Sequence, residues 1–321
     1  MVATLAAIFG LTTLVFSAVL LYVGYFNLLT VGVLVVLMNV MQWLLSPYLV
    51  GAIYRVKEIK DGENPKLQAM VSDLSKKSGI STPKLMLSQI QLPNAFAYGS
   101  PISGSRVAVT EGLLKNLDDG EVEAVIGHEL GHLKHRDVQV MMVVSFLPAL
   151  FYYIGYSMML SGMFGGSTDR KNGGGGNNAL FGIAFMAFSW ILTLFTLYLS
   201  RLREYYADRH SALVVENGAQ KLSTGLVTIV QESKRVGKPN KDEKKSNSSY
   251  KALFIADPDR ATEDFADLNA NRIINKQDLL RETLAKQPTS ADKFAEVFST
   301  HPNIIKRLRA LQEISQNPPN T

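Results

Sequence analysis

The run "GHELGHLKHRD", residues 127–137, carries three histidines and a glutamate within one short stretch. His128 and His132 stand four residues apart, so on a helix their imidazoles project one turn apart from one face. Nitrogens placed that way can reach a single zinc ion at about 2.0 to 2.1 Å. Glu129 lies about 100° round the helix from His128 and about 60° from His132. It borders the histidine face, where a general base acting on water would stand. The chain has no cysteine, so disulfides and thiolate ligands are excluded and a metal site must use His, Asp or Glu.

His135 fits a third ligand position poorly. Its Cα lies about 10.5 Å along the helix axis from that of His128, with His132 between them. A catalytic zinc site takes three protein ligands and keeps a fourth position open, so the third should come from elsewhere. "RLREYYADRH", residues 201–210, offers Glu204 and Asp208, four apart and on one helix face. Glu204 is then the natural third ligand, and Asp208 the natural acceptor for the outer N–H of a ligating imidazole. The competing reading is an ordinary helix face whose carboxylates pair with Arg201 or Arg203.

What brings residues 128 and 204 together is the long-range organisation of the chain. Its 321 residues carry a net charge of +5 and are 47% hydrophobic, which is ordinary for a soluble protein. The distribution is not ordinary. No charged residue or histidine occurs from Met1 to Tyr54, from Val138 to Thr168 or from Asn172 to Ser200. A membrane span needs roughly 20 mostly apolar residues, so the sequence predicts four spans in two hairpins: Leu5–Tyr25, Leu29–Tyr48, Val138–Met158 and Ala179–Leu199. "GGSTDRKNGGGGNN" reads as the polar loop of the second hairpin. That hairpin returns the chain to the membrane face it left, so Glu204 arrives at the depth of His132.

Basic residues flank the spans at Arg55, Lys57 and Lys60, at Lys134 and Arg136, and at Arg201 and Arg203. Positive flanks favour the cytoplasmic side, which predicts a multi-pass cell-membrane protein with both termini and the histidine run in the cytoplasm. The expected divisions are a transmembrane hairpin at 1–54, a polar part with the HELGH helix at 55–137, a second hairpin at 138–200 and a helical part at 201–321. A flexible basic loop is expected at about 234–251. Nucleic acid is not an expected partner, since no basic helix or aromatic-basic motif accompanies that loop.

Within the first polar part, Leu67, Met70, Val71 and Leu74 predict a helix with Gly79 as its stop. Two or three strands follow, from "PKLMLSQI" to "SRVAVTEG". Asp118 and Glu121 form a capping-box pattern at the start of the histidine helix. Gly127 and Gly131 each weaken that helix by about 1 kcal/mol, and they allow another segment to approach it closely. "DLNANRIINKQD" partly imitates a calcium loop, with Asp267, Asn269, Asn271 and Ile274 in register, but Arg272 stands in place of the turn glycine and Asp278 in place of the bidentate Glu. It reads as a polar helix junction.

Taken together, "LPNAFAYG", "VAVTEGLL", "HELGHLKHRD", "REYYAD" and "STHPNIIKRL", interleaved with two pairs of spans, resemble the M48 family of membrane zinc metalloproteases, most closely its HtpX-type heat-shock proteases. The resemblance implies an α+β, mainly helical, zincin-like domain carried by four transmembrane helices. It implies one zinc ion per subunit on His128, His132 and Glu204, Glu129 as catalytic base, and Asp208 as the last residue of an ExxxD element. It also implies stress-related quality control, with unfolded or damaged membrane proteins as substrates. His301, of the family-like "THP" motif, is the candidate oxyanion donor ahead of Tyr205 and Tyr206, with a capping or packing role as the alternative. Substrate is expected to lie along an edge strand formed by "SRVAVTEG", with Asn94, Ala95 and Phe96 lining the cleft. The runner-up functions are a prenyl-protein-type protease of the same family and a catalytically silent membrane scaffold. An intramembrane protease is disfavoured because Glu121, Glu123, Lys134, Arg136 and Asp137 surround the motif.

Overall fold

The histidine run lies on a helix that its own ends define. Asp118 accepts from the Glu121 backbone N–H at 2.9 Å while Glu121 accepts from the Asp118 N–H at 3.1 Å, a reciprocal cap at its start. Val122, Ala124, Val125, Ile126 and Leu130 are all buried. Apolar burial of this kind contributes about 25 cal/mol per Å², enough to offset the two glycines. The structure, a computed structural model, describes residues 28–164, 174–236, 275–287 and 289–317.

In chain order the described elements are helix α1 (Leu28–Ile53), strand β1 (Val56–Glu58), α2 (Pro65–Ser78), β2 (Lys84–Ser88), β3 (Ala95–Ser100), β4 (Gly104–Thr110), α3 (Glu111–Asn116), α4 (Asp119–Lys134), α5 (Asp137–Phe164), α6 (Gly174–Val214), α7 (Gly218–Val236), α8 (Lys276–Ala285), α9 (Ser290–Val297) and α10 (Ile304–Gln316). Among the described residues the fold is mainly helical with one small sheet. These elements divide into two compact units, one comprising the chain up to Trp43 with Gln139–Ser200 and the other comprising Leu44–Val138 with the chain from Arg201 onward.

The second unit holds the sheet, in the order β1-β2-β4-β3, with β2 and β4 parallel and the other pairs antiparallel. This corrects the sequence reading of the edge strand. Residues 105–110 of "SRVAVTEG" lie in β4, which is paired on both sides, Glu111 and Gly112 open α3, and the sheet edge beside β4 belongs to β3, built from "AFAYGS". Two apolar runs of equal β propensity do not reveal which is central, because strand order is set by long-range pairing. Side chains alternate across β4: Val107 and Val109 join the main core with α2, α4, α7 and α10, while Ala108 joins Tyr54, Met86, Phe96 and Tyr98 on the opposite face. Helix α2 ends at Gly79, whose φ of 69° is the left-handed cap that glycine adopts at least cost.

Within the first unit, α5 and α6 touch backbone to backbone. A Cβ on Gly155 would lie 2.6 Å from the Gly182 carbonyl oxygen, and one on Gly182 would lie 2.5 Å from that of Gly155. Ser189 Oγ donates to the Pro148 carbonyl at 2.7 Å. Small residues and an interhelical hydrogen bond are how helices associate in lipid, where apolar burial alone gives no preference.

Three described helices are long and apolar enough to cross a membrane: Gly32–Ile53, Asp137–Met163 and Asn178–Val214. The expected span Leu5–Tyr25 lies outside the described residues, as do most of the basic loop and the calcium-like positions 267–274. Two boundaries move. Helix α6 starts at Gly174, inside the expected polar loop, and α7 continues to Val236, inside the expected basic one. Helix propagation from an established segment costs far less than nucleation, so each helix runs past the point where residue preference alone would stop it.

Candidate metal centre

Helix α6 carries Glu204 and Asp208 against the histidine face of α4, and the α4 glycines set the distance. A Cβ on Gly131 would meet Ala207 Cα at 3.0 Å and His210 Cβ at 3.1 Å, and one on Gly127 would meet Val215 Cγ2 at 3.0 Å. Ser211 Oγ donates to the Ala124 carbonyl at 2.6 Å and fixes the register of the two helices.

At this contact His128, His132 and Glu204 each present a ligand atom within 4.8 Å of the others. The two Nε2 atoms are 3.2 Å apart. His128 Nε2 lies 3.7 Å from Glu204 Oε2, and His132 Nε2 lies 3.5 Å from Glu204 Oε1. All three groups are largely buried.

The outer nitrogens decide what the inner ones can do. His132 Nδ1 is 2.6 Å from Asp137 Oδ2, and His128 Nδ1 is 2.8 Å from Asp208 Oδ1, the latter oxygen standing off the ideal N–H line. Each carboxylate favours the proton on Nδ1, which leaves two Nε2 lone pairs facing one another. Glu204 Oε2 is a buried acceptor without a hydrogen bond among the described residues. Two lone pairs and a carboxylate in contact repel each other unless a cation lies between them. Nitrogen and oxygen ligands at about 2.0 to 2.1 Å in a tetrahedral set stand about 3.3 Å from one another, close to the observed edges. The donor set therefore fits zinc.

Behind the clustered donors lie two matching pairs of charged side chains. His128 is backed by Asp208, which receives Arg307 Nε at 2.8 Å and Nη2 at 2.6 Å. His132 is backed by Asp137, which pairs with Arg203 Nε at 3.0 Å. Arg307 also reaches Glu204 Oε2 through Nη1 at 3.3 Å. Arg201 and Arg203 therefore do not take up Glu204 or Asp208, as the ordinary-helix reading required. Arg201 instead donates to the backbone carbonyls of Glu296, Val297 and Ser299.

Asp137 and Arg307 were not picked out from sequence. Asp137 faces His132 because the chain turns sharply at Arg136, whose φ is 53°. Arg307 has a detectable signal, since it shares the buried face of α10 with Ile304, Leu308 and Leu311. Replacing Asp137 with Ala is expected to weaken zinc binding about 10- to 100-fold. Competition with a chromogenic chelator measures it, and unchanged affinity would mean that Asp137 does not orient His132.

Glu129 is buried beside these groups, and its Oε2 accepts from the Ala97 N–H of β3 at 2.7 Å. Burial raises its pKa above the usual carboxylate range, a rise that the nearby His132 and His128 partly oppose. His301 stands between α9 and α10 with Nδ1 3.4 Å from Glu204 Oε2 and its side chain 23% exposed. His135 caps α4, its Nδ1 lying 2.8 Å from the Gly131 carbonyl and its ring facing Tyr206 and His210, so it is not among the clustered ligand atoms. His210 is buried, with Nε2 2.9 Å from Ser78 Oγ. Tyr205 and Tyr206 line a groove of about 650 Å³ with Leu202 and α10 residues including Ala310 and Ile314. The side chains of Asn94, Ala95 and Phe96 are buried; the Asn94 carbonyl accepts from the Thr110 N–H, and by antiparallel alternation the backbone of Phe96 also faces β4 while that of Ala95 faces outward with Ala97.

Residues 61–315 match the family described as Peptidase family M48. The chain is 36% identical over 323 residues to a "Protease HtpX homolog" of Thermoplasma acidophilum, covering 97% of this chain and 95% of that one. It is 38% identical over 284 residues to a "Protease HtpX homolog" of Aeropyrum pernix, covering 88% and 85%. Among solved structures it is similar in fold to Ste24p of S. mikatae, with a TM-score of 0.54 at 18% identity, covering 96% of this chain and 64% of that chain. It thus spans slightly under two thirds of the length of Ste24p.

Proposed function

The chain belongs to peptidase family M48, and from that premise we propose that it is a membrane-embedded, zinc-dependent endopeptidase that cleaves misfolded or damaged membrane proteins on the cytoplasmic side. The observation that carries the reading is the pair of His128 and His132 Nε2 atoms 3.2 Å apart, each imidazole backed by a carboxylate, with Glu204 closing the set. The orientation is supported by the basic flanks of the apolar segments.

His128, His132 and Glu204 would hold the metal. Bound there, zinc supplies Lewis acidity, polarising a carbonyl oxygen and acidifying water. Glu129 accepts the proton of the attacking water on a carboxylate oxygen and returns it to the leaving amine nitrogen. Its raised pKa brings it nearer to neutral pH, which suits both transfers. His301 donates to the oxygen that gains charge. The outer edge of β3 aligns the substrate backbone. The Ala97 N–H points away from β4, and by antiparallel alternation Ala95 and Gly99 face the same way. Recognition through backbone bonds demands little of the substrate sequence, as an enzyme acting on unfolded segments requires.

Zinc content and cleavage of casein, measured together on purified protein, test the proposal. The parent chain should carry one zinc per subunit and cleave. Glu204→Ala should lose both metal and activity, while His135→Ala should keep its metal. Full activity in zinc-free protein would overturn the metal assignment, and metal without cleavage in the parent chain would favour a silent scaffold.

A further inference from the structure

Helix α9 has its amphipathic pattern reversed. Its acidic Glu296 is buried, pairing with Lys306 and accepting from the Asn303 N–H at 3.2 Å. The opposite side exposes Phe294 at 70% and Val297 at 39%, and at the C-cap Phe298 is 47% exposed with its ring 5.4 Å from that of Phe294. Ala291 and Ala295 are exposed as well, so residues 291, 294, 295 and 298 form one continuous apolar stripe at helical spacing. A helix that points its carboxylate inward and its phenylalanines outward is not built to face water.

The position of α9 indicates what the stripe meets. Arg201 is the first charged residue after the uncharged run 172–200, the point at which α6 leaves its apolar segment. Its Nη1 donates to the carbonyls of Glu296 and Ser299, each at 2.8 Å, and of Val297 at 3.1 Å. A basic side chain at the end of a span lies at headgroup level, and this one is tied to the C-terminal turn of α9. Exposed aromatic residues at that depth partition favourably into the boundary between headgroups and acyl chains.

We propose that α9 is an interfacial helix whose Phe294 face is seated in the lipid surface beside the end of α6. This rests on the reading of α6 as a membrane span. It also has a consequence for the site, because the chain passes from α9 through Ser299 and Thr300 directly to His301, so the lipid surface supports the segment that carries that histidine.

The absence of cysteine makes single-cysteine labelling of the full chain clean. Phe294→Cys and Ala295→Cys, each carrying a small fluorophore, are reconstituted in phosphatidylcholine and phosphatidylglycerol vesicles with shallow doxyl-labelled lipid. Asp119→Cys reports an exposed polar site and Ile191→Cys a position within the apolar run of α6. The labels at 294 and 295 should be quenched by doxyl lipid at least about twofold more than that at 119, and shielded from iodide by a similar factor. Iodide access equal to that at 119 would overturn the proposal, as would shielding from both quenchers, which would mean that protein covers the face. If the label at 191 is also untouched by doxyl lipid, the span reading itself fails; if only those at 294 and 295 are untouched, the interfacial helix alone fails.

Discussion

Glu129→Gln should keep its zinc and lose casein cleavage by about 100- to 10,000-fold in kcat, the range expected for removal of a positioned general base. The substitution is unusually clean at this position. Among the described residues the carboxylate's backbone hydrogen bond is as an acceptor from the Ala97 N–H, and a glutamine carbonyl oxygen can accept the same bond. Shape, burial and the tie to β3 therefore persist while basicity disappears. Burial raises the Glu129 pKa, so the carboxylate is costly to keep charged, and a neutral amide should leave thermal stability unchanged or slightly higher. Zinc stoichiometry, melting temperature and kcat on one preparation separate the outcomes. Cleavage equal to the parent chain would sink the role of Glu129, and loss of zinc together with activity would mean that Glu129 supports the ligand set rather than the proton transfer.

The site was readable where its spacing is local and unreadable where it depends on packing. The approach of His128 to His132 follows from helical geometry, and Glu204, which the sequence reading brought in through a returning hairpin, lies within the same cluster. His135 could be set aside on rise per residue alone. Asp137 could not be selected in the same way, because its approach to His132 depends on the left-handed Arg136, a conformation that a non-glycine residue adopts only under surrounding constraint. The free edge of β3 was hidden for a related reason: strand order is a long-range property, and "AFAYGS" and "SRVAVTEG" are equally plausible edges until both are paired. The reversed polarity of α9 was likewise invisible, since amphipathicity shows which residues share a face and not which face is inside.

Arg307 shows why the charged pairs behind the clustered donors matter as much as the donors themselves. It is 1% exposed, holds both Asp208 oxygens, and reaches Glu204. Burial works against its charge, but Asp208 and Glu204 more than compensate and hold its pKa above the ordinary value. Replacing it with Met, which matches the stem but carries no charge, strands two buried carboxylates. Breaking a buried pair from one side costs about 3 to 5 kcal/mol, which for a domain of this size lowers the melting temperature by on the order of 10 °C. Arg307→Lys should recover only part of this, because one ammonium cannot replace a fork with three prongs. The decisive comparison is Arg307→Met combined with Asp208→Asn. The amide removes the stranded charge yet still offers an oxygen to His128 Nδ1, so the double variant should melt above Arg307→Met alone and its cycle should show coupling of more than about 1 kcal/mol. Thermal unfolding of metal-free protein in detergent at one scan rate measures it, metal being left out because zinc would neutralise Glu204 and mask part of the loss. Additive effects of the two substitutions would mean that Arg307 stabilises α10 by packing and not by holding the acids behind the metal ligands.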